Sequence, residues 1–427
     1  MKKHLLLSLF AALLVSSGML FTACSDTDNA VPDTSGEPVE NPLKAHITET
    51  IRKKTEKATV YNIEYPSVDP FGNACMLSGS VIVGDEVEND DKQARGMVLY
   101  NHFTVNRKDQ CPTLGDLAIE LKVVGSKLIC VAPDYYGFGS TGDKNQAYCM
   151  SRANAQSSVD CLLAARELLK GMGYTWGDFL FNLGYSEGGQ TSMGVIRLCA
   201  EKYPDIKITH SVCGAGSYDI GETYRQLVSS GITSMPSTVI NTLLAYNEYY
   251  RLGVKNTDMF QEPTLSNIPV YLLSKDYKRE ELEGKLASDT ISKWVQPTMF
   301  DFNSELSKKY MEAFENDNLS KGWTPRGNER ISLIHNTLDV CVPYANTTMM
   351  ANFFKEHGFA IDEHGSDNRY VDGRIYVYSV SFPALSPKFG THEMAALAFV
   401  AELTTIITHY LDIDMWFTIT AEELQGV

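Results

Sequence analysis

Asp178-Phe179-Leu180-Phe181-Asn182-Leu183-Gly184-Tyr185-Ser186-Glu187-Gly188-Gly189 decides how the rest of the chain is read. Residues 178–183 form a short, mainly apolar run of strand type, and the stretch from Gln190 to Tyr203, closed by Pro204, has helical periodicity. Between them stands Gly-x-Ser-x-Gly. A serine on a sharp strand-to-helix turn presents its hydroxyl at the end of the strand, where a nucleophile is useful. Gly184 and Gly188 have a steric task in such a turn, because side chains there hold strand and helix apart. Ser186 is therefore the candidate nucleophile.

Outward from this turn, strand and helix alternate. Thr59–Tyr65 and Ala74–Val83 look like an opening antiparallel pair. Strand patterns follow at Gly96–Asn101, Lys127–Ala132, Asp178–Leu183, Lys207–Cys213, Arg330–His335 and Arg374–Ser379, making eight in all. Helical patterns lie between most of them, at Thr113–Val124, Ala153–Gly171, Gln190–Tyr203, Tyr344–His357 and His392–Tyr410. This order predicts an α/β domain, residues 58–427, with a mostly parallel eight-stranded sheet covered by helices on both faces. The beat fails from Ser217 to about Pro325, a stretch too long for a plain loop, so a mainly helical cap is expected there. Pro236–Leu252 and Asp276–Ser288 are its helical candidates. Tyr246, Tyr249, Tyr250, Phe260, Trp294, Phe300, Phe302, Tyr310, Phe314 and Trp323 supply its aromatic surface; most are expected in its own core and some facing the site.

A serine hydroxyl needs a base within hydrogen-bond reach, and the base needs a third group to orient it. Behind an elbow of this kind the partners follow in the order acid, then histidine. Asp339 lies just past the strand ending at His335, at the carboxyl end of the sheet, where α/β proteins place their ligands. Asp362, Asp367 and Asp372 are weaker rivals in a polar loop. Of nine histidines, His4 falls in the leader, His46 precedes the expected fold, and His210 and His335 sit within strands. His357 and His364 precede the final strand, and His409 lies deep in the last helix. His392, in Lys388-Phe389-Gly390-Thr391-His392, follows the final strand and opens the last helix. An oxyanion formed by attack of Ser186 needs two backbone N–H donors. The amide of Glu187 is the first expected donor, and Thr104, in the turn after the strand ending near Asn101, is the second.

Gly184-Tyr185-Ser186-Glu187-Gly188-Gly189 resembles the G-Y-S-Q-G-G elbow of the secretory lipases and their bacterial alpha/beta-hydrolase relatives. Pro133-Asp134-Tyr135-Tyr136-Gly137-Phe138-Gly139-Ser140 is similar to their P-D-Y-x-G-x-G-S turn, in which Asp134 and Gly137 are structural. The resemblance spans about Ala58 to Leu411 and implies an alpha/beta-hydrolase fold with an inserted cap, and Ser186, Asp339 and His392 as nucleophile, acid and base. Glu187 stands where these relatives carry Gln, and Phe103 where bacterial members carry Gly in H-G-T. A non-glycine residue restricts the backbone there.

Met1–Ala23 has a basic start, an apolar stretch and small residues before Cys24, the pattern of a secretory signal peptide. Leu20-Phe21-Thr22-Ala23-Cys24 resembles a bacterial lipobox, which implies lipid attachment at Cys24 and an outer-membrane lipoprotein. The acidic Ser25-Asp26-Thr27-Asp28 resembles surface-export tags. Residues 24–57 read as a flexible tether and lead-in, since their first part is too polar to order itself. No other stretch is expected to span a membrane. A net charge of −16 disfavours nucleic acid as a partner. No C-x-x-C pair suggests metal or redox chemistry.

These features together predict a serine hydrolase of carboxylic esters, a lipase or esterase acting through an acyl-enzyme on a small-molecule or lipid ester, with no cofactor and no metal. A serine peptidase or amidase of the same fold, and a non-catalytic surface lipoprotein binding glycan or lipid, are the alternatives.

Overall fold

The computed structural model describes residues 44–363, 370–385 and 390–413. The leader, Cys24 and the tether up to residue 43 lie outside the described residues, as do His364, Asp367, Lys388 and Phe389.

Among the described residues ten strands form one sheet, β1 (His46–Lys53), β2 (Ala58–Val68), β3 (Ala74–Gly84), β4 (Gln93–Asn101), β5 (Leu128–Pro133), β6 (Thr175–Tyr185), β7 (His210–Gly214), β8 (Arg330–Asn336), β9 (Ala360–Asp362) and β10 (Arg374–Val380). Their spatial order is β1-β2-β3-β5-β4-β6-β7-β8-β10-β9. The first four in that order pair antiparallel, and from β5 to β9 every pair is parallel. The central strands β5 and β7 are buried along their whole length, because helices cover both faces.

Eight of these strands match the expectation from sequence; the other two are the sheet's edges. β1 falls inside 24–57, so part of the stretch expected as tether and lead-in joins the sheet. Its sequence, HITETIRK, is mostly polar and its residues mostly exposed, as suits an edge, and its place is fixed by backbone pairing with β2. β9 has three residues, too few to show a period.

Helices Ser151–Gly171 and Glu187–Lys202 pack on one face through Val159, Leu162, Ala165, Val195 and Cys199. The last helix, Thr391–Leu411, covers the other through Ala396, Phe399, Leu403, Ile406 and Ile407. Against the expectation of no further such stretch, this helix is long and apolar enough to cross a membrane by length and composition. Its apolar side instead meets the sheet.

Between β7 and β8 the chain leaves the sheet to build the cap. Ile220–Ser230 starts where the Asp219 carboxylate accepts the Glu222 amide at 2.9 Å, Pro236–Tyr249 starts on a proline, and Glu305–Asn316 is capped by Ser304. The helix expected over Asp276–Ser288 shrinks to Arg279–Leu282, because Gly284 turns into the left-handed region. Tyr246, Tyr249, Phe260, Trp294, Tyr310 and Phe314 form the core of the cap. Trp323 leaves it to pack on Phe353 and Phe354 beneath the sheet. The cap is fastened to the sheet by Lys275, whose buried ammonium donates to the carbonyls of Gly137, Gly142 and Lys144.

The register aligns the carboxyl ends of the central strands. Asn101 of β4 pairs with Gly184 of β6, and Gly214 of β7 lies between Tyr185 and Ile334. Closeness here requires glycine. A Cβ on Gly188 would lie 2.1 Å from the Asn101 carbonyl oxygen, and one on Gly184 would lie 2.1 Å from that of Gly188. Both obstacles are backbone, which cannot swing away. Gly188→Ala is accordingly expected to cost about 1–3 kcal/mol or more, read as a lowered Tm; an unchanged Tm would show that the crossing is not tight.

Candidate active site

Ser186 sits between β6 and the helix Glu187–Lys202 with φ 58° and ψ −121°, a conformation that costs a non-glycine residue about 1–3 kcal/mol. It is held by its own amide, which donates to Gly214 O at 2.8 Å, and by its carbonyl, which accepts from the Gln190 amide at 3.1 Å. The hydroxyl is thereby directed away from the sheet.

His392 Nε2 lies 2.9 Å from Ser186 Oγ, and His392 Nδ1 lies 2.6 Å from Asp339 Oδ2. The structure thus brings together the three residues singled out in the sequence, from positions more than fifty residues apart. Asp339 is fixed by a local turn, since Oδ1 accepts the amides of Cys341 at 2.8 Å and Val342 at 2.9 Å. Asp372, one rival, is 2.7 Å from Arg330 at the amino-terminal end of β10, and Asp362 ends the edge strand β9.

Burial opposes the charge on the Asp339 carboxylate, yet His392 and His335 facing it hold its pKa well below the usual carboxylate range. Burial likewise opposes a charged His392, but the attraction and hydrogen bond of Asp339 outweigh it and raise the imidazole above its ordinary 6.5. Glu393 adds to this effect and Arg279 subtracts from it.

The turn after β4 carries His102, whose ring stacks on Tyr135 at 4.0 Å. Thr104 Oγ1 lies 2.8 Å from the Tyr148 hydroxyl. Phe103 has no positive φ, so the turn forms without the glycine of the H-G-T pattern. Asp134 is buried, and its carboxylate accepts from Ser78 Oγ, Thr113 N and Thr113 Oγ1 at 2.6–2.9 Å. Its role is structural.

A family model of secretory lipases matches residues 122–369, more than half of the chain. The chain belongs to the secretory lipase family. As a member it is an ester hydrolase of the lipase and esterase type. No curated protein sequence matches it. Among solved structures it is similar to the rice cell wall degrading esterase LipA from Xanthomonas oryzae, with TM-score 0.67 and 17% identity over 87% of this chain and 98% of that one. A putative hydrolase from Legionella pneumophila gives TM-score 0.68 and 19% identity over 88% and 100%. Candida antarctica lipase A gives TM-score 0.60 and 11% identity over 90% and 88%. At these identities the structural likeness shows the fold.

Several neighbours of the site in this secretory lipase family chain were not legible in its sequence. His335, set aside as a strand residue, has Nε2 3.3 Å from Asp339 Oδ2 and 2.9 Å from Val342 O. Asn336 ties the acid loop to the histidine loop: its amide donates to Phe382 O and Thr391 O, both at 2.7 Å. Tyr185 donates to His392 O at 2.5 Å. Arg279 of the cap reaches Glu393, beside His392, at 2.8 Å.

A cleft opens at Ser186, lined by Tyr148, Cys149 and Glu187 below and by helices Ile220–Ser230 and Pro236–Tyr249 above. None of the ten aromatic cap residues noted in the sequence lines it; Tyr148 and Tyr224 do. The Glu187 side chain is buried at its edge, with Oε1 3.3 Å from both Cys149 N and Asn154 Nδ2, and burial raises its pKa to about 8.

An NMR titration of the His392 imidazole is expected to give a midpoint above 6.5, and Asp339→Asn to move it downward, because burial then acts unopposed by the carboxylate. A midpoint indifferent to the substitution would refute the coupling.

Proposed function

We propose that this secretory lipase family protein hydrolyses carboxylic esters through an acyl-enzyme on Ser186, with His392 as general base and acid and Asp339 as its orienting carboxylate. The reading rests above all on one observation, the unbroken hydrogen-bonded line from Ser186 Oγ through the His392 ring to Asp339 Oδ2. Ser186 Oγ attacks the ester carbonyl and gives its proton to His392 Nε2. Asp339 keeps the Nδ1–H tautomer in place and stabilises the imidazolium. The tetrahedral oxyanion is met by the amides of Glu187 and Thr104. Glu187 opens a helix, so its N–H has no acceptor within that helix and is free to donate. Each such donor lowers the barrier by about 2.7–4 kcal/mol. His392 returns the proton to the leaving alcohol, and water then repeats the sequence on the acyl-enzyme.

Residues 1–23 are proposed to be a signal peptide and Cys24 a lipidated first residue, leaving 25–45 as a tether between an outer membrane and the sheet. The acidic residues after Cys24 suit a surface-facing enzyme.

Ser186→Ala is expected to lower turnover of a p-nitrophenyl ester by at least about a thousandfold while near-UV circular dichroism stays native. Near-wild-type turnover in the folded variant would end the proposal, and faster cleavage of aminoacyl amides than of esters by the wild type would redirect it to amidase chemistry. Cys24→Ser is expected to move the protein from the membrane pellet to the soluble fraction; retention in the pellet would exclude lipid at Cys24 as the anchor.

A further inference from the structure

The cleft at Ser186 has more to say about what is cleaved. Its walls include Ser186 and Glu187, the attacking residue and the first oxyanion donor, but not the ring of His392. The leaving alcohol must reach His392 to be protonated. The group that enters this cleft is therefore the one left on the serine, the acyl group.

Counted out to its open mouth the cleft measures about 510 Å³, but it is narrow, and the centre of a water-sized sphere can reach only about 40 Å³ of it. The far wall cannot easily give. Ile220, Tyr224, Leu227 and Val239 are all buried members of the cap core. The Tyr224 hydroxyl is anchored on Met299 O at 3.0 Å, and its ring packs on Phe314 at 5.7 Å.

The polar groups of that wall are already used. Thr223 Oγ1 donates to Asp219 O at 2.9 Å, Thr238 Oγ1 to Met235 O at 2.8 Å, and Thr242 Oγ1 to Thr238 O at 2.8 Å. Together with Tyr224, four hydroxyls of two cap helices donate to backbone carbonyls. A hydroxyl on the acyl chain would lose its water there and find none of these four protons free to donate to it, leaving at most a bond that it donates itself.

We infer that the cap helices Ile220–Ser230 and Pro236–Tyr249 restrict this enzyme to short, unsubstituted acyl groups, with Leu227, Val239 and Thr242 setting the limit. The inference rests on the ester-hydrolase reading above and adds the acyl class to it. Long acyl chains do not fit, and selectivity among alcohols is left to the open mouth.

The test is a panel of p-nitrophenyl acetate, butyrate, 3-hydroxybutyrate, octanoate and palmitate on the full-length protein. The expected result is kcat/KM at least about tenfold lower for octanoate than for butyrate, and similarly lower for 3-hydroxybutyrate. Leu227→Ala is expected to raise the octanoate-to-butyrate ratio about tenfold; Val239→Ala and Thr242→Ala provide the same readout should that variant not fold. Octanoate or palmitate cleaved as fast as butyrate overturns the short-acyl inference and leaves ester hydrolysis standing, and 3-hydroxybutyrate equal to butyrate overturns its apolar part. Folded wall variants with an unchanged ratio overturn the assignment of the wall. Failure to cleave any ester, with Ser186 unlabelled by a fluorophosphonate, overturns the ester reading itself.

Discussion

The backbone of Ser186 is the constraint on which the rest depends. A residue at φ 58° and ψ −121° is unfavourable in isolation and persists only where its surroundings leave no alternative. Here β6 runs directly into a helix whose first turn crosses the end of β4 at a distance that excludes any Cβ on Gly188. The hydrogen bond from the Ser186 amide to Gly214 O locks the turn to β7 as well. Three strand ends thus meet at one residue, whose hydroxyl reaches the His392 ring.

Asp339 and His392 are positioned by a different means. Neither belongs to a strained turn; each lies on a loop after a strand, and the two loops are tied together by Asn336 and steadied by His335 below and Tyr185 beside them. The cap joins the same assembly through Arg279 and Glu393, and it grips the loop after β5 through Lys275. A segment with its own hydrophobic core is in this way held in register with the chemistry beneath it. Its wall becomes a fixed dimension of the cleft.

Much of this was readable in the chain. The parallel strands are continuous apolar runs because both their faces are buried, and the helices between them have clear periods, so the alternation survives in sequence. The edge strands do not show it: β1 is polar because one side of its backbone faces water, and β9 is too short. The helix expected over Asp276–Ser288 fails at Gly284, a local break that composition alone did not weigh. His335 was passed over because a histidine inside a strand usually has no chemical neighbour, and only the turn from Asn336 to Asp339 gives it one. The aromatic residues of the cap were the least legible. Amphipathic patterning reports that a residue is buried, not against what, and Trp323 and Phe314 look alike until the helices are packed.

The sequence by itself determined the α/β framework and singled out Ser186, Asp339 and His392 as candidates, since each follows from local stereochemistry: a glycine-flanked serine turn, a turn-forming Asp after a strand, a His before a helix, and the periods of strand and helix. Tertiary structure alone decided which residues wall the cleft, how little room they leave, and that four cap hydroxyls donate to backbone carbonyls. These are properties of surfaces brought together from distant parts of the chain, and their sizes depend on packing distances of a few ångströms that no local pattern encodes.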